Sequence, residues 1–178
     1  MTSSALFSAP WDQKLTVLTV VTSAFLLAGA AVAIWVALTQ LPPGAGRGLV
    51  LAGGLIPLAA FLLGILLAPR GYSIADGRLT IDRFLRPVAI PLTSIRDVER
   101  LPAERLAGSS RTIGSGGFFG YYGRFRNDAL GSYRMYATRG DGLVLVRAAQ
   151  PYVLTPDSPD RFIEALNRDR GAAKGGPR

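Results

Sequence analysis

Two stretches without a single charge constrain this chain more than anything else in it. Leu15 to Leu38 and Gly48 to Ala68 contain no Asp, Glu, Lys or Arg. Each is long enough, as a helix rising about 1.5 Å per residue, to cross the roughly 30 Å hydrocarbon layer of a bilayer. Pro42-Pro43-Gly44 stops the first run, and the short connection through Arg47 makes the two helices antiparallel neighbours. The spacing therefore predicts a two-helix transmembrane anchor over residues 1–70, with spans at 15–38 and 48–68. Small residues recur at i, i+4 and i+8 in both helices: Gly29, Ala33 and Ala37 in the first, Ala60, Gly64 and Ala68 in the second. Such stripes let helix backbones pack closely, although a chain this rich in Ala and Gly also scatters them by chance. Pro57 predicts a kink in the second helix, and Trp11 and Trp35 suit the two interfaces. Ala31-Val32-Ala33 has the small-x-small form of a secretory cleavage site, but apolar residues run on through Leu38, so a retained helix is predicted.

Charge is segregated behind the spans. Only Lys14 and Arg47 among the basic residues precede Arg70, and Asp12 is the only acid to do so. The remainder is polar and strongly basic, drawn toward anionic lipid or nucleic acid; lipid is the nearer polyanion, and no nucleic-acid partner is expected. Arg70, Arg78, Arg83 and Arg86 follow the second span and Lys14 precedes the first, against Arg47 alone in the connecting loop. The positive-inside rule then places both termini and the soluble part in the cytoplasm. With no Cys and no His, the chain lacks disulfides, thiolate or imidazole metal ligands, and Ser-His-Asp or Cys-His nucleophilic sites. Neither a cofactor nor a metal is expected. No Gly-x-Ser-x-Gly elbow, phosphate-binding Gly-x-x-x-x-Gly-Lys loop or His-Glu-x-x-His site is present, and an interfacial enzyme is the weakest of the functional readings.

From Arg70 the hydrophobic period changes to two. Tyr72–Ala75 and Arg78–Arg83 flank Asp76-Gly77, a type I′ hairpin turn, with Leu79 and Ile81 facing inward. Val88–Leu92 forms a third strand, placed at an edge by Pro91, and Ile95–Leu101 a fourth with Val98 inward. Tyr133–Thr138 and Leu143–Arg147 are predicted to pair around Gly140-Asp141-Gly142, and Tyr152–Leu154 to supply a seventh strand. Arg139-Gly140-Asp141 reads as a turn rather than an integrin-type motif. Asp157-Ser158-Pro159-Asp160 starts a helix with Phe162, Ile163 and Leu166 on its apolar face. Asp157, Asp160 and Glu164 fit capping and solvation better than a paired-carboxylate site. The tail, 171–178, is predicted to be disordered and basic. The fold class is α+β: a transmembrane helical hairpin, then a seven-stranded antiparallel β-barrel or sandwich over 71–170 closed by a C-terminal α-helix.

The strand order, the segment Gly117-Phe118-Phe119-Gly120-Tyr121-Tyr122-Gly123 and the closing Tyr152–Ile163 stretch resemble the bacterial pleckstrin-homology-like (PH) domain proteins, many of which carry such a domain behind a two-helix anchor. The resemblance covers roughly Gly71 to Asn167. It implies a PH barrel in a bacterial membrane, a binding role and no shared catalytic residues. Relatives that bind phosphoinositides resemble one another in a basic first hairpin loop; here that turn is Asp76-Gly77 with Arg78 as its sole nearby cation. Two functions follow as expectations. One is a non-enzymatic module at the cytoplasmic face that binds a protein, a peptide or anionic lipid. The other is an assembly or regulatory subunit whose hairpin packs against a larger membrane complex. Oligomeric state is open.

Within the long insertion from Ala103 to Ser132, glycines at 114, 117, 120 and 123 recur every third residue, with aromatic pairs between the last three. Tyr122–Arg126 is a candidate extra strand with Tyr122 and Arg124 on one face. Either the aromatics cover a barrel edge while the glycines permit tight turns, or Phe118, Phe119, Tyr121 and Tyr122, flanked by Arg111, Arg124 and Arg126, form an aromatic-basic surface for the membrane or a partner.

Overall fold

Ala-Leu-Phe-Ser, ahead of the first apolar run, forms a strand with alternating burial, β1 (Ala5–Ser8), that leads directly into the helices. The structure is a computed structural model describing residues 4–175. α1 (Gln13–Thr39) and α2 (Ala45–Leu67) follow, both long and apolar enough to cross a membrane. Asp12 starts α1, its carboxylate accepting the Leu15 N–H at 2.6 Å, as an N-cap does. The tight contact between the two helices centres on Gly54 of α2, where a Cβ would lie 2.9 Å from Ile34 Cγ1 and 3.3 Å from the Ala33 Cβ.

The described residues contain ten strands, not the seven expected: β1, then β2 (Gly71–Ala75), β3 (Arg78–Asp82), β4 (Val88–Pro91), β5 (Asp97–Arg100), β6 (Ser110–Gly116), β7 (Tyr121–Asn127), β8 (Gly131–Ala137), β9 (Val144–Arg147) and β10 (Pro151–Leu154). They form two sheets, ordered β1-β2-β3-β4 and β5-β9-β10-β8-β7-β6. The three extra strands are β1, which comes from the far side of the helices, β6, and β7, which contains the candidate strand Tyr122–Arg126 and with β6 turns the glycine-aromatic segment into a hairpin. The expected pairing of the Tyr133 and Leu143 strands is also corrected. β10 lies between β8 and β9, antiparallel to β9 and parallel to β8. Tyr152, Val153 and Leu154 are all buried, and a strand apolar on both faces belongs in a sheet centre rather than at its edge. Asp76 and Gly77 both have positive φ, 51° and 69°, the type I′ geometry that their residue types favour.

The main core lies between the sheets. Tyr72, Ile74, Leu79 and Ile81 meet Val144, Val146 and Leu154, and α3 (Pro159–Gly175) closes one end with Phe162 and Leu166. Each such side chain taken out of water contributes roughly 1.5–3 kcal/mol. A second cluster, with Phe125, Tyr133, Met135, Leu145 and Val153, fills the opposite face of the six-stranded sheet. α3 runs on through Gly175, into the tail expected to be disordered from Gly171; residues 176–178 lie outside the described residues.

Candidate functional site

The glycine-aromatic segment is the β6–β7 hairpin, and its tip is driven into the two long helices. Gly114 and Gly123 face each other across the hairpin, both with positive φ. A Cβ on Gly114 would collide with the Tyr122 carbonyl oxygen, and one on Gly123 with that of Ile113, so only glycine allows this approach. The Ser115 hydroxyl accepts the Phe118 N–H at 3.0 Å and donates to the Phe118 carbonyl at 2.7 Å. Gly117 N–H reaches Gly120 O at 3.1 Å, closing the turn. Phe119 at φ 57° is the strained residue there, a non-glycine in the left-handed region.

That turn throws both rings toward α2. Phe118 and Phe119 meet edge-on, centroids 4.6 Å apart, and Phe61 contacts both, at 6.4 and 5.6 Å. Gly64 is the seat: a Cβ there would lie 2.9 Å from each of the two rings. Trp11 packs on Phe119 at 5.9 Å, and the Phe119 N–H donates to the buried Thr19 hydroxyl of α1 at 3.2 Å. Both helices are thereby held by two residues of one turn.

Further bonds fasten the same end of the hairpin. A helix leaves its last four carbonyls without partners in the helix. For α2, Tyr122 Oη donates to Gly64 O at 3.3 Å and the Leu85 N–H to Leu66 O at 2.8 Å. At the start of α1, the second carboxylate oxygen of Asp12 accepts the Gly140 N–H at 3.1 Å, and the Thr138 hydroxyl donates to Pro10 O at 2.7 Å. The Arg139-Gly140-Asp141 turn therefore serves as a brace for α1.

The expected aromatic-basic surface divides in the folded chain. Phe118 and Phe119 are half-buried against the helices, Tyr122 is buried in the main core, and Tyr121 is half-buried over the second cluster. Arg111, Arg124 and Arg126 are exposed, and Arg124 stands opposite Arg134 of β8. None of these four arginines makes an ion pair among the described residues, and the Arg134 Nε is buried without a hydrogen-bond acceptor. The small-residue stripe divides as well. Ala33 lies at the α1–α2 contact and Ala37 is buried, Gly64 seats the Phe pair and Ala68 joins the sandwich core, while Gly29 and Ala60 are exposed. Sequence reasoning missed β1, Gly54 and the Arg83–Pro87 loop; Phe84-Leu85 between two arginines was the visible signal for the last of these.

Tyr72 joins the sheets from within. Its hydroxyl donates to Tyr136 O at 2.6 Å and accepts the Thr155 N–H at 3.1 Å. Burial, only partly offset by the Thr155 bonds, pushes its pKa up to about 12. Among the described residues no three of His, Cys, Asp and Glu cluster as metal ligands would. The groups gathered here hold and orient.

The sequence profile of a family described as Bacterial PH domain matches residues 70–170. No curated protein and no solved structure matches the chain.

Proposed function

The chain belongs to the bacterial PH domain family, and from that premise we propose that it is a non-enzymatic binding module fixed in a membrane by its helical hairpin. The sandwich and both termini lie on the cytoplasmic side in this reading. A PH-like domain suggests a binding scaffold, and nothing in the residues gathered above is arranged for bond-breaking chemistry.

One observation carries the proposal: a single sheet contains the strand before α1 and the strand after α2, so both ends of the hairpin are fastened to one domain. The rest of the hairpin projects with its apolar side chains bare. Phe25 is 78% exposed and Ile56 68%, and a helix apolar all round needs protein or lipid to cover it. The basic residues around Arg70 place the domain on the positive side. Arg124, Arg126 and Arg134, which share one face of β7 and β8 and make no ion pair among the described residues, supply the face that takes the partner, an anionic lipid surface or an acidic protein or peptide.

The absence of cysteine makes topology directly testable. Single cysteines at the exposed Thr93 and Ala45 are expected to react with an impermeant maleimide from opposite sides of sealed vesicles, Thr93 from the cytoplasmic side. Labelling of both from one side would refute the spanning hairpin. A photoreactive residue replacing Arg124 is expected to trap a protein or a lipid in native membranes; no adduct of either kind would remove this face from the proposal.

A further inference from the structure

The last turn of α2, the segment before α1 and the loop between β3 and β4 surround a second feature, separate from the arginine face. It is a cavity of about 380 Å³ lined by Trp11, Ile65, Ala68, Pro69, Phe84 and Phe119, with Arg70 as the one charged residue in its wall. The Arg70 guanidinium lies 4.1 Å from the centre of the Phe84 ring and makes no ion pair among the described residues. Asp82 feels the Arg70 charge but makes no ion pair with it, and its carboxylate accepts the Ser73 hydroxyl at 3.4 Å. Phe84 is 59% exposed and Leu85 41% exposed, and both stand between Arg83 and Arg86. The Leu85 N–H bond to Leu66 O fixes them level with the final turn of α2. Apolar walls that continue an apolar helix, ending in a guanidinium that makes no ion pair among the described residues, match a molecule with a hydrocarbon stem and an anionic head.

We propose that this cavity binds an anionic phospholipid, with the phosphate on Arg70 and the upper acyl chain against Trp11, Ile65, Phe84 and Phe119; this rests on the reading of the hairpin as membrane-spanning. The site is distinct from the Asp76-Gly77 turn. β2 and β3 carry that turn about 16 Å from the end of α2, at roughly 3.3 Å per residue, whereas the cavity lies where the bilayer surface meets the domain. Phe84 and Leu85 then sit at the headgroup boundary as aromatic and aliphatic anchors do.

Trp11 reports on the site directly, since the chain has only two tryptophans. With Trp35→Phe in the full chain, Trp11 is the sole indole. Reconstitution into phosphatidylcholine vesicles containing a minor fraction of chain-brominated phosphatidylglycerol or chain-brominated phosphatidylcholine compares the two headgroups at one position. Quenching by the brominated phosphatidylglycerol is expected at about fivefold lower mole fraction, the factor that one arginine beside an anionic headgroup contributes. Arg70→Gln is expected to erase that preference. Arg78→Gln, at the far end of β3, is expected to keep it. Equal quenching by the two lipids, a preference that survives Arg70→Gln, or an equal loss in both arginine variants would each overturn the site while leaving the spanning hairpin intact. No quenching by either lipid would instead overturn the spanning hairpin itself, and the site with it. Circular dichroism of each variant checks that the sandwich remains folded.

Discussion

Tyr72 of the four-stranded sheet is tied directly to the other sheet, because its hydroxyl is the common partner of a β8 carbonyl and of the amide that follows β10. Tyr72→Phe removes both bonds from the interior, and a loss of about 1–3 kcal/mol is expected from thermal melts in detergent. The phenol also dictates an alkaline limit. Its folded pKa of about 12 exceeds the ordinary value of 10.0, so the protonated form is favoured by folding. That contribution is whole below pH 10 and fades as pH rises toward 12, about 2–3 kcal/mol in all. Unfolding monitored across that interval is expected to steepen in the parent and to flatten in Tyr72→Phe. Phe118→Ser and Phe119→Ser remove rings that are half-buried on Gly64 and Phe61. Each is expected to cost about 1–3 kcal/mol and to expose the β6–β7 turn to protease before the sandwich melts. An unchanged cleavage rate would show that the rings do not hold the turn. Gly123→Ala meets the Ile113 carbonyl and is expected to disrupt the hairpin rather than merely weaken it, as loss of Phe125 and Tyr133 packing in near-ultraviolet dichroism would show.

At the scale of elements, what the sequence disclosed and what it concealed divide by distance along the chain. The Asp76-Gly77 hairpin, the start of α3 near Ser158-Pro159 and the two apolar helices carry their signals in adjacent residues, and all are present. β1 has only four residues, and its partner lies beyond both helices, so no local pattern announces it. Tyr152–Leu154 reads in sequence only as a seventh strand, because the insertion of β10 between β8 and β9 depends on non-local burial. The glycine-aromatic segment stood out by composition, yet its seat at Gly64 and Thr19 is a contact between distant parts of the chain that periodicity does not encode. β1 is nonetheless expected to be indispensable. Phe7 packs on Phe162 at 5.1 Å, and Asp157 accepts both the Ser8 amide and hydroxyl. Burial would raise the Asp157 pKa, but the Ser8 bonds, the Ser158 amide and the Arg139 charge together outweigh it and hold the pKa below the usual carboxylate value. Removing residues 2–8 bares the β2 edge, and aggregation of the truncated chain in size-exclusion chromatography is the expected outcome.

For the whole molecule, the helical hairpin is an excursion from the sandwich rather than a stalk beneath it. Ser8 and Gly71 are direct partners in the β1–β2 register, although α1 and α2 separate them in the chain. A fragment of residues 70–178 therefore lacks a strand of its own sheet and is expected to fold poorly. A chain in which a short glycine linker joins Ser8 to Gly71 restores that strand without the hairpin, and is expected to give a cooperative melt that the fragment lacks. Equal behaviour of the two would mean that β1 contributes nothing. The same pairing bears on how the protein comes to exist. β1 is made first and finds no partner until both helices have been synthesised and the chain has doubled back beside it. If the second helix failed to return through the bilayer, Ala5–Ser8 and Gly71–Ala75 would be stranded on opposite sides of it, and the four-stranded sheet could not assemble. In the spanning arrangement proposed above, the sandwich is complete only when the two helices return the chain to the side of the bilayer on which β1 lies.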